Sequence, residues 1–223
     1  MKNLTFIITI LLSTILTAQN QSDNTDKMID GMCLDFKQNE NLNDSLKFES
    51  LNKKFILSYL AQFPDSEREN KIDYLYFQFQ KRCAHFRDYL QRTDPPKNDN
   101  WVRMNVRPTI TVSENEMNQF KKNTDFYYFE YDGGEKTIVK TDKSFWKETF
   151  ADRTSSKLYY KWISKNKFEL EFIESNNNSR KNFSKKGDQY IYEIISKENN
   201  FYWVFVEVPD QSEMVKFKLF VGK

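Results

Sequence analysis

The chain changes its hydrophobic period once. Between Asp26 and Leu90 apolar residues return every three or four positions, and Ile72, Leu75, Tyr76, Phe79, Cys83, Phe86 and Leu90 fall on one stripe of an α-helix. Ser66 followed by Glu69 reads as a capping box opening that helix, and Pro95-Pro96 lies beyond its end. Phe48, Leu51, Phe55, Tyr59 and Phe63 carry a preceding helix that stops at Pro64, because proline disfavours helical backbone in the residue before it. Ile29, Met32, Cys33 and Phe36 carry a shorter one. A three-helix unit over residues 19–92 is expected.

Residues 93–100, Thr-Asp-Pro-Pro-Lys-Asn-Asp-Asn, have the composition of a linker. Over residues 101–223 the period falls to two. Phe168, Leu170 and Phe172 alternate with Glu169 and Glu171, and Leu158, Tyr160 and Trp162 alternate with Tyr159 and Lys161. Similar runs cover Tyr127 to Tyr131, Tyr190 to Ile195, Phe201 to Val208 and Val215 to Val221. Such runs are half-buried antiparallel strands with one wet and one aromatic face. Asp132-Gly133-Gly134 supplies a tight hairpin turn, and Asn176 to Ser179 and Lys197 to Asn200 supply further turns. The expected fold class is α+β: a helical unit, then an up-and-down antiparallel meander curled into a lipocalin-like barrel or strongly bent sheet.

Composition adds compartment. Met1-Lys2-Asn3, a largely apolar run from Leu4 to Leu16 and the small residues Thr17-Ala18 have the order of a secretory signal, with cleavage expected near Ala18. The run falls short of the roughly 20 residues a bilayer-spanning helix needs, so no permanent membrane span is expected. The destination is the periplasm or the exterior. Without Lys2, 33 basic side chains face 32 acidic ones, which gives no electrostatic case for nucleic acid. The 20 Phe, 12 Tyr and 4 Trp carry enough apolar area for a core despite the low mean hydropathy.

Candidate chemistry is sparse. Cys33 and Cys83 lie on apolar helical stripes, and a disulfide between them is the preferred reading in an oxidising compartment, with two buried thiols as the alternative. The lone histidine, His85, reads as a surface residue on the opposite side of its helix from Cys83, and one histidine with two cysteines makes a poor zinc site. Glu169, Glu171 and Glu174 are simplest as solvated side chains opposite lysines of neighbouring strands. No phosphate loop, nucleophile elbow or metalloprotease helix is present in the sequence, and no cofactor is expected. Tyr128, Tyr160, Trp162 and Tyr192 either fill the barrel as core or line a cavity for a small apolar ligand. The basic run from Arg180 to Lys186 reads as a soluble hairpin loop, with contact to an anionic surface as the other option.

Three stretches resemble a known family: Asn123 to Phe129, Thr137 to Asp142, and Lys161 to Ser164 together with Phe168-Glu169-Leu170. They are similar to uncharacterised small secreted bacterial β-proteins that often carry the label DNA topoisomerase IV. The resemblance covers roughly residues 121–175 and implies a lipocalin-like meander with no assigned activity. The topoisomerase label does not fit a small, nearly neutral, exported chain. Cysteines usual in that family are replaced here by Lys122 and by Lys165 or Asn166, so any disulfide within its β-unit is absent. The expected function is a non-enzymatic exported binding or interaction protein acting on an envelope or extracellular partner. A carrier of a small apolar ligand and a carboxylate-dependent hydrolase are the alternatives.

Overall fold

The computed structural model describes residues 24–96, 98–131, 134–208, 211 and 213–222. The signal segment, and Asp132 and Gly133 of the expected hairpin turn, lie outside the described residues. The chain divides into two compact units, Met1–Arg87 and Asp88–Lys223.

The first unit is helical. Helix α1 covers residues 24–38. Helix α2 begins as Asp44–Leu51, passes through a π-helical stretch at Asn52–Ile56 and ends as Leu57–Leu60. Asn43 caps it by accepting from the Leu46 amide. Gly31 of α1 lies where a side chain would press on the Phe55 ring at 3.1 Å, so glycine permits that approach. Helix α3 (Asp65–Arg82) and helix α4 (Ala84–Thr93), which begins in the first unit and continues past its boundary at Arg87, replace the single third helix expected from the sequence. The break falls at Cys83, whose backbone is extended. Arg87 supports it by donating to the Gln80 and Lys81 carbonyls at 2.9 and 2.7 Å. The bend stacks Phe86 on Phe79 at 4.4 Å, and both meet Phe36 of α1. Because α4 starts afresh, the helical angle expected between Cys83 and His85 does not apply, and His85 is half-buried. The expected capping box at Ser66 is also absent. Pro64 stands at the cap without a side-chain hydrogen bond, and Asp65 and Glu67 place negative charge on the first turn instead. Cys33 and Cys83 form a disulfide with Cα atoms 5.4 Å apart.

The second unit is a barrel. Strand β1 (Trp101–Met104) and helix α5 (Glu114–Lys122) precede β2 (Asp125–Phe129), β3 (Lys136–Thr141), β4 (Phe145–Thr149), β5 (Ser155–Trp162) and β6 (Lys167–Ser175). Helix α6 (Asn178–Phe183) then leads to β7 (Gln189–Glu198), β8 (Phe201–Glu207) and β9 (Met214–Val221). Strands β2 to β9 pair antiparallel in sequence order, and β9 closes on β2 through Tyr127↔Phe220. The result is a closed eight-stranded meander barrel. Strand β1 fills the rest of the seam, with Trp101 opposite Phe217. Gly222 ends the seam, since a side chain there would meet the Asp125 carbonyl at 2.9 Å.

Alternation sets the two faces. Register pairs Phe126 with Val139, Tyr160 with Leu170, Phe168 with Tyr192 and Val204 with Phe217, and these point inward. The outer face keeps Lys161 opposite Glu169 and Lys157 opposite Glu174, as solvated pairs. Strand β8 is buried on both faces, because the segment before α5 lies over it. Thr111 and Val112 donate their amides to the Ile195 carbonyl at 2.8 Å each. Arg107 reaches Glu193 at 2.6 Å and Glu207 at 2.8 Å, with its guanidinium over the Phe205 ring.

Candidate functional site

Each end of the barrel carries a helix. At the upper end, where β2 begins, α5 opens with a reciprocal capping box between Ser113 and Glu116 and drives Met117 and Phe120 into the core. The Tyr202 hydroxyl donates to the Glu116 carbonyl at 3.1 Å and pins the plug. At the lower end α6 is capped by Asn177. This corrects two expectations: Asn176 to Ser179 is a helix start rather than a hairpin turn, and the basic run that follows is not merely a solvent-facing loop. Phe183 packs on the core, and Arg180 reaches the side chains of β2.

Tyr128, Tyr160, Trp162 and Tyr192 all belong to the interior, and three of them meet the Phe168 ring. Phe168 lies 5.2 Å from Tyr160, 5.4 Å from Trp162 and 5.2 Å from Tyr192. Trp146 of β4 meets Phe168 at 5.6 Å and Tyr192 of β7 at 6.4 Å, so rings from separate walls touch across the barrel. Trp162 sits at the upper plug, 5.9 Å from Phe120 and beneath the Lys121 ammonium. At this level the barrel is filled by side chains. Burial pushes the Tyr160 and Tyr192 phenols up, and for Tyr192 the Glu148 charge adds to the effect.

Below that layer the interior turns polar. Trp146 and Glu148 alternate with Lys147 on β4, so indole and carboxyl share the inner face. Glu148 Oε1 accepts from the Tyr128 hydroxyl and from Trp146 Nε1, each at 3.2 Å. Arg180 Nη2 donates to Tyr128 Oη at 3.1 Å and to both Glu130 oxygens at 3.0 and 2.9 Å. Thr137 Oγ1 donates to Glu130 at 2.6 Å, and Ser184 and Tyr190 share a hydrogen bond at 2.5 Å. One phenol oxygen thus links the Arg180–Glu130 ion pair to Glu148.

The electrostatics of this cluster act on Glu148, Arg180 and Tyr128. Burial raises the Glu148 pKa, the Arg180 charge opposes this and Glu130 reinforces it. Burial works against the charged form of Arg180, but Tyr128, Glu130 and Glu148 hold it protonated. Burial also raises the Tyr128 phenol, assisted by the Glu148 charge. Among the described residues no buried side-chain nitrogen or oxygen lacks a partner. Glu148 Oε2 and the Tyr192 hydroxyl take part in none of the described hydrogen bonds, and both residues are only partly buried. Solvent therefore reaches both atoms inside the barrel wall.

Sequence reasoning missed Glu148, Glu130 and Arg180. The alternation in Phe145-Trp146-Lys147-Glu148 places Glu148 on the face of Trp146, which was the available signal. For Arg180 no periodic signal exists, because α6 is shorter than two turns.

A concavity lies outside the barrel: an open groove of about 650 Å³ whose lining includes Arg107, Ile191, Phe205, Glu207 and Met214. Its principal charges, Arg107 and Glu207, already pair with each other. No group of three or more potential metal ligands occurs among the described residues, and no described helix is long and apolar enough to cross a membrane. No protein-family model, curated protein or solved structure matches the chain. The closed meander is consistent with a lipocalin-like fold.

Proposed function

We propose that this chain is an exported, non-enzymatic binding protein whose barrel seats a small ligand in its lower, polar half. The observation that carries this reading is the pair of solvent-reached polar atoms, Glu148 Oε2 and the Tyr192 hydroxyl, set among inward-facing aromatic rings. Binding sites combine apolar walls with a few convergent polar groups in this way. Export is supported by the signal pattern of residues 1–18 and by the Cys33–Cys83 disulfide, since such bonds persist in oxidising compartments.

A carrier for a purely apolar ligand is less well supported, because the aromatic layer around Phe168 occupies the space it would need. A carboxylate-dependent hydrolase needs two carboxyls working on one bond. Glu130 is held by Arg180 and Thr137, while Glu169 and Glu174 face lysines on the outer wall. Native mass spectrometry of the protein recovered from its own host tests the reading. A co-purifying small molecule supports it, whereas a stoichiometric polypeptide with no small molecule favours an interaction module instead.

A further inference from the structure

We infer that the outer face of strands β3, β4 and β5 is a docking surface for a membrane rich in anionic lipid. The surface lies outside the barrel and does not depend on the interior seat. Residues 136–166 carry eight basic and three acidic side chains, while the rest of the chain carries 26 basic and 29 acidic. The positive charge of a nearly balanced protein is therefore gathered on one part of the barrel. Of the three acids, Glu148 shares the inner face with Trp146, and Asp142 accepts from the Ser144 and Phe145 amides at 2.8 Å each.

The register concentrates the charge further. Outward positions on the three strands include Lys136, Lys140, Lys147, Lys157 and Lys161 and no carboxylate. Lys140 stands directly opposite Lys147, and Lys147 directly opposite Lys157. Like charges placed opposite one another cost stability, so the folding of the sheet does not account for this row. Carboxylates stand at its ends, with Asp125 opposite Lys140 and Glu174 opposite Lys157. Lys147, in the middle, has Asp142 only at 3.8 Å, beyond hydrogen-bond distance. Apolar side chains share the face. Tyr159 lies beside the Phe145 ring at 5.6 Å and is 49 % exposed, and Ile138 and Ile163 are each 45 % exposed. Lysine brings a point charge without the fork of arginine, which suits a field of phosphate headgroups rather than one fixed anion. Isoleucine offers nothing to the hydroxyls of an acidic polysaccharide, but it enters the headgroup boundary, where tyrosine also resides.

Co-sedimentation of the full chain with vesicles tests the inference. Vesicles of phosphatidylcholine and phosphatidylglycerol in equal parts should bind at least about tenfold more tightly than vesicles of phosphatidylcholine alone, and added salt should erase the difference. Each lysine near an anionic surface is worth roughly fivefold in affinity, so Lys140→Gln combined with Lys147→Gln should weaken binding by roughly 25-fold. Both side chains are more than half exposed, and an unchanged tryptophan emission will show that the fold is kept. Lys181→Gln combined with Lys186→Gln removes the same charge from exposed positions in and after α6, and should change binding by less than about threefold. Equal loss in the two double variants would show attraction to overall charge and overturn the assignment to this face. Equal binding to the two kinds of vesicle, or binding to neither, would overturn the lipid reading. Retention on alginate without vesicle binding would also overturn it and give the lysine row to an acidic polysaccharide.

Discussion

Reduction of the Cys33–Cys83 bond separates the fates of the two units. The bond closes a loop with a sequence separation of 50, which in the chain-entropy account restricts the unfolded state by about 4 kcal/mol. The helical unit is small, and a single core of that size supplies roughly 3–5 kcal/mol of net stability. Its buried apolar set is short: Ile29, Met32, Phe36, Leu51, Tyr59, Leu75, Phe79, Cys83 and Phe86. Loss of about 4 kcal/mol therefore brings the unit close to zero net stability. The barrel has its own core and no cysteine. All four tryptophans, Trp101, Trp146, Trp162 and Trp203, belong to the barrel unit, so indole fluorescence reports on it alone while ellipticity at 222 nm follows mainly the helices. On adding a phosphine reductant, ellipticity should collapse and both thiols should become alkylatable, with the tryptophan emission maximum unmoved. Retained ellipticity with both thiols labelled would refute the entropy argument. A simultaneous red shift of the emission would refute the independence of the barrel.

Three further outcomes follow from particular contacts. Phe168→Ala empties a fully buried position between Trp146 and Tyr192 and should cost about 3–5 kcal/mol in urea unfolding followed by fluorescence; a cost below about 1 kcal/mol would show that the aromatic layer is not tightly packed. Arg107→Ala leaves Glu193, 4 % exposed, with Lys167 and Asn166 as its polar partners among the described residues, and should destabilise the barrel by about 1–3 kcal/mol at neutral pH; amide exchange should rise at Thr111 and Val112, and unchanged exchange there would show that Arg107 does not hold the segment before α5 over β8. The raised pKa of Glu148 means that the folded chain binds its proton more tightly than the unfolded chain. Wild-type stability should therefore fall relative to Glu148→Gln as pH rises from the ordinary glutamate value through the raised one, and a rise over that window in urea midpoints would contradict the sign.

How far the sequence anticipates this molecule depends on whether a feature is periodic. Phe168, Leu170 and Phe172 announce their strand because a half-buried sheet repeats every two residues, and enough such runs imply closure. The Cys33–Cys83 bond is legible from compartment and helical stripe together. The break at Cys83 is not, since it depends on Arg87 folding back onto carbonyls that only the tertiary structure frees. Helix α5 carried its own signature in Ser113 and Glu116, yet its nine residues sit among strands where the period-two pattern dominates. The polar interior was hidden for a different reason. An alternating strand tells which residues share a face but not which face is inside once a carboxylate joins the aromatic side, as Glu148 does beside Trp146. Arg180 enters the barrel from a helix of fewer than two turns, and a charged residue in such a helix ordinarily faces water.

The central claim, that a ligand sits in the lower half of the barrel, is tested most directly by following the four indole N–H resonances while the small-molecule fraction released from the protein recovered from its own host is added back to the stripped protein. Trp146 donates its N–H to Glu148 and should show a saturable shift, whereas Trp203, whose N–H donates to Glu198 on the outer face, should not move. A saturable shift at Trp203 with Trp146 unmoved would place binding outside the barrel and contradict the account.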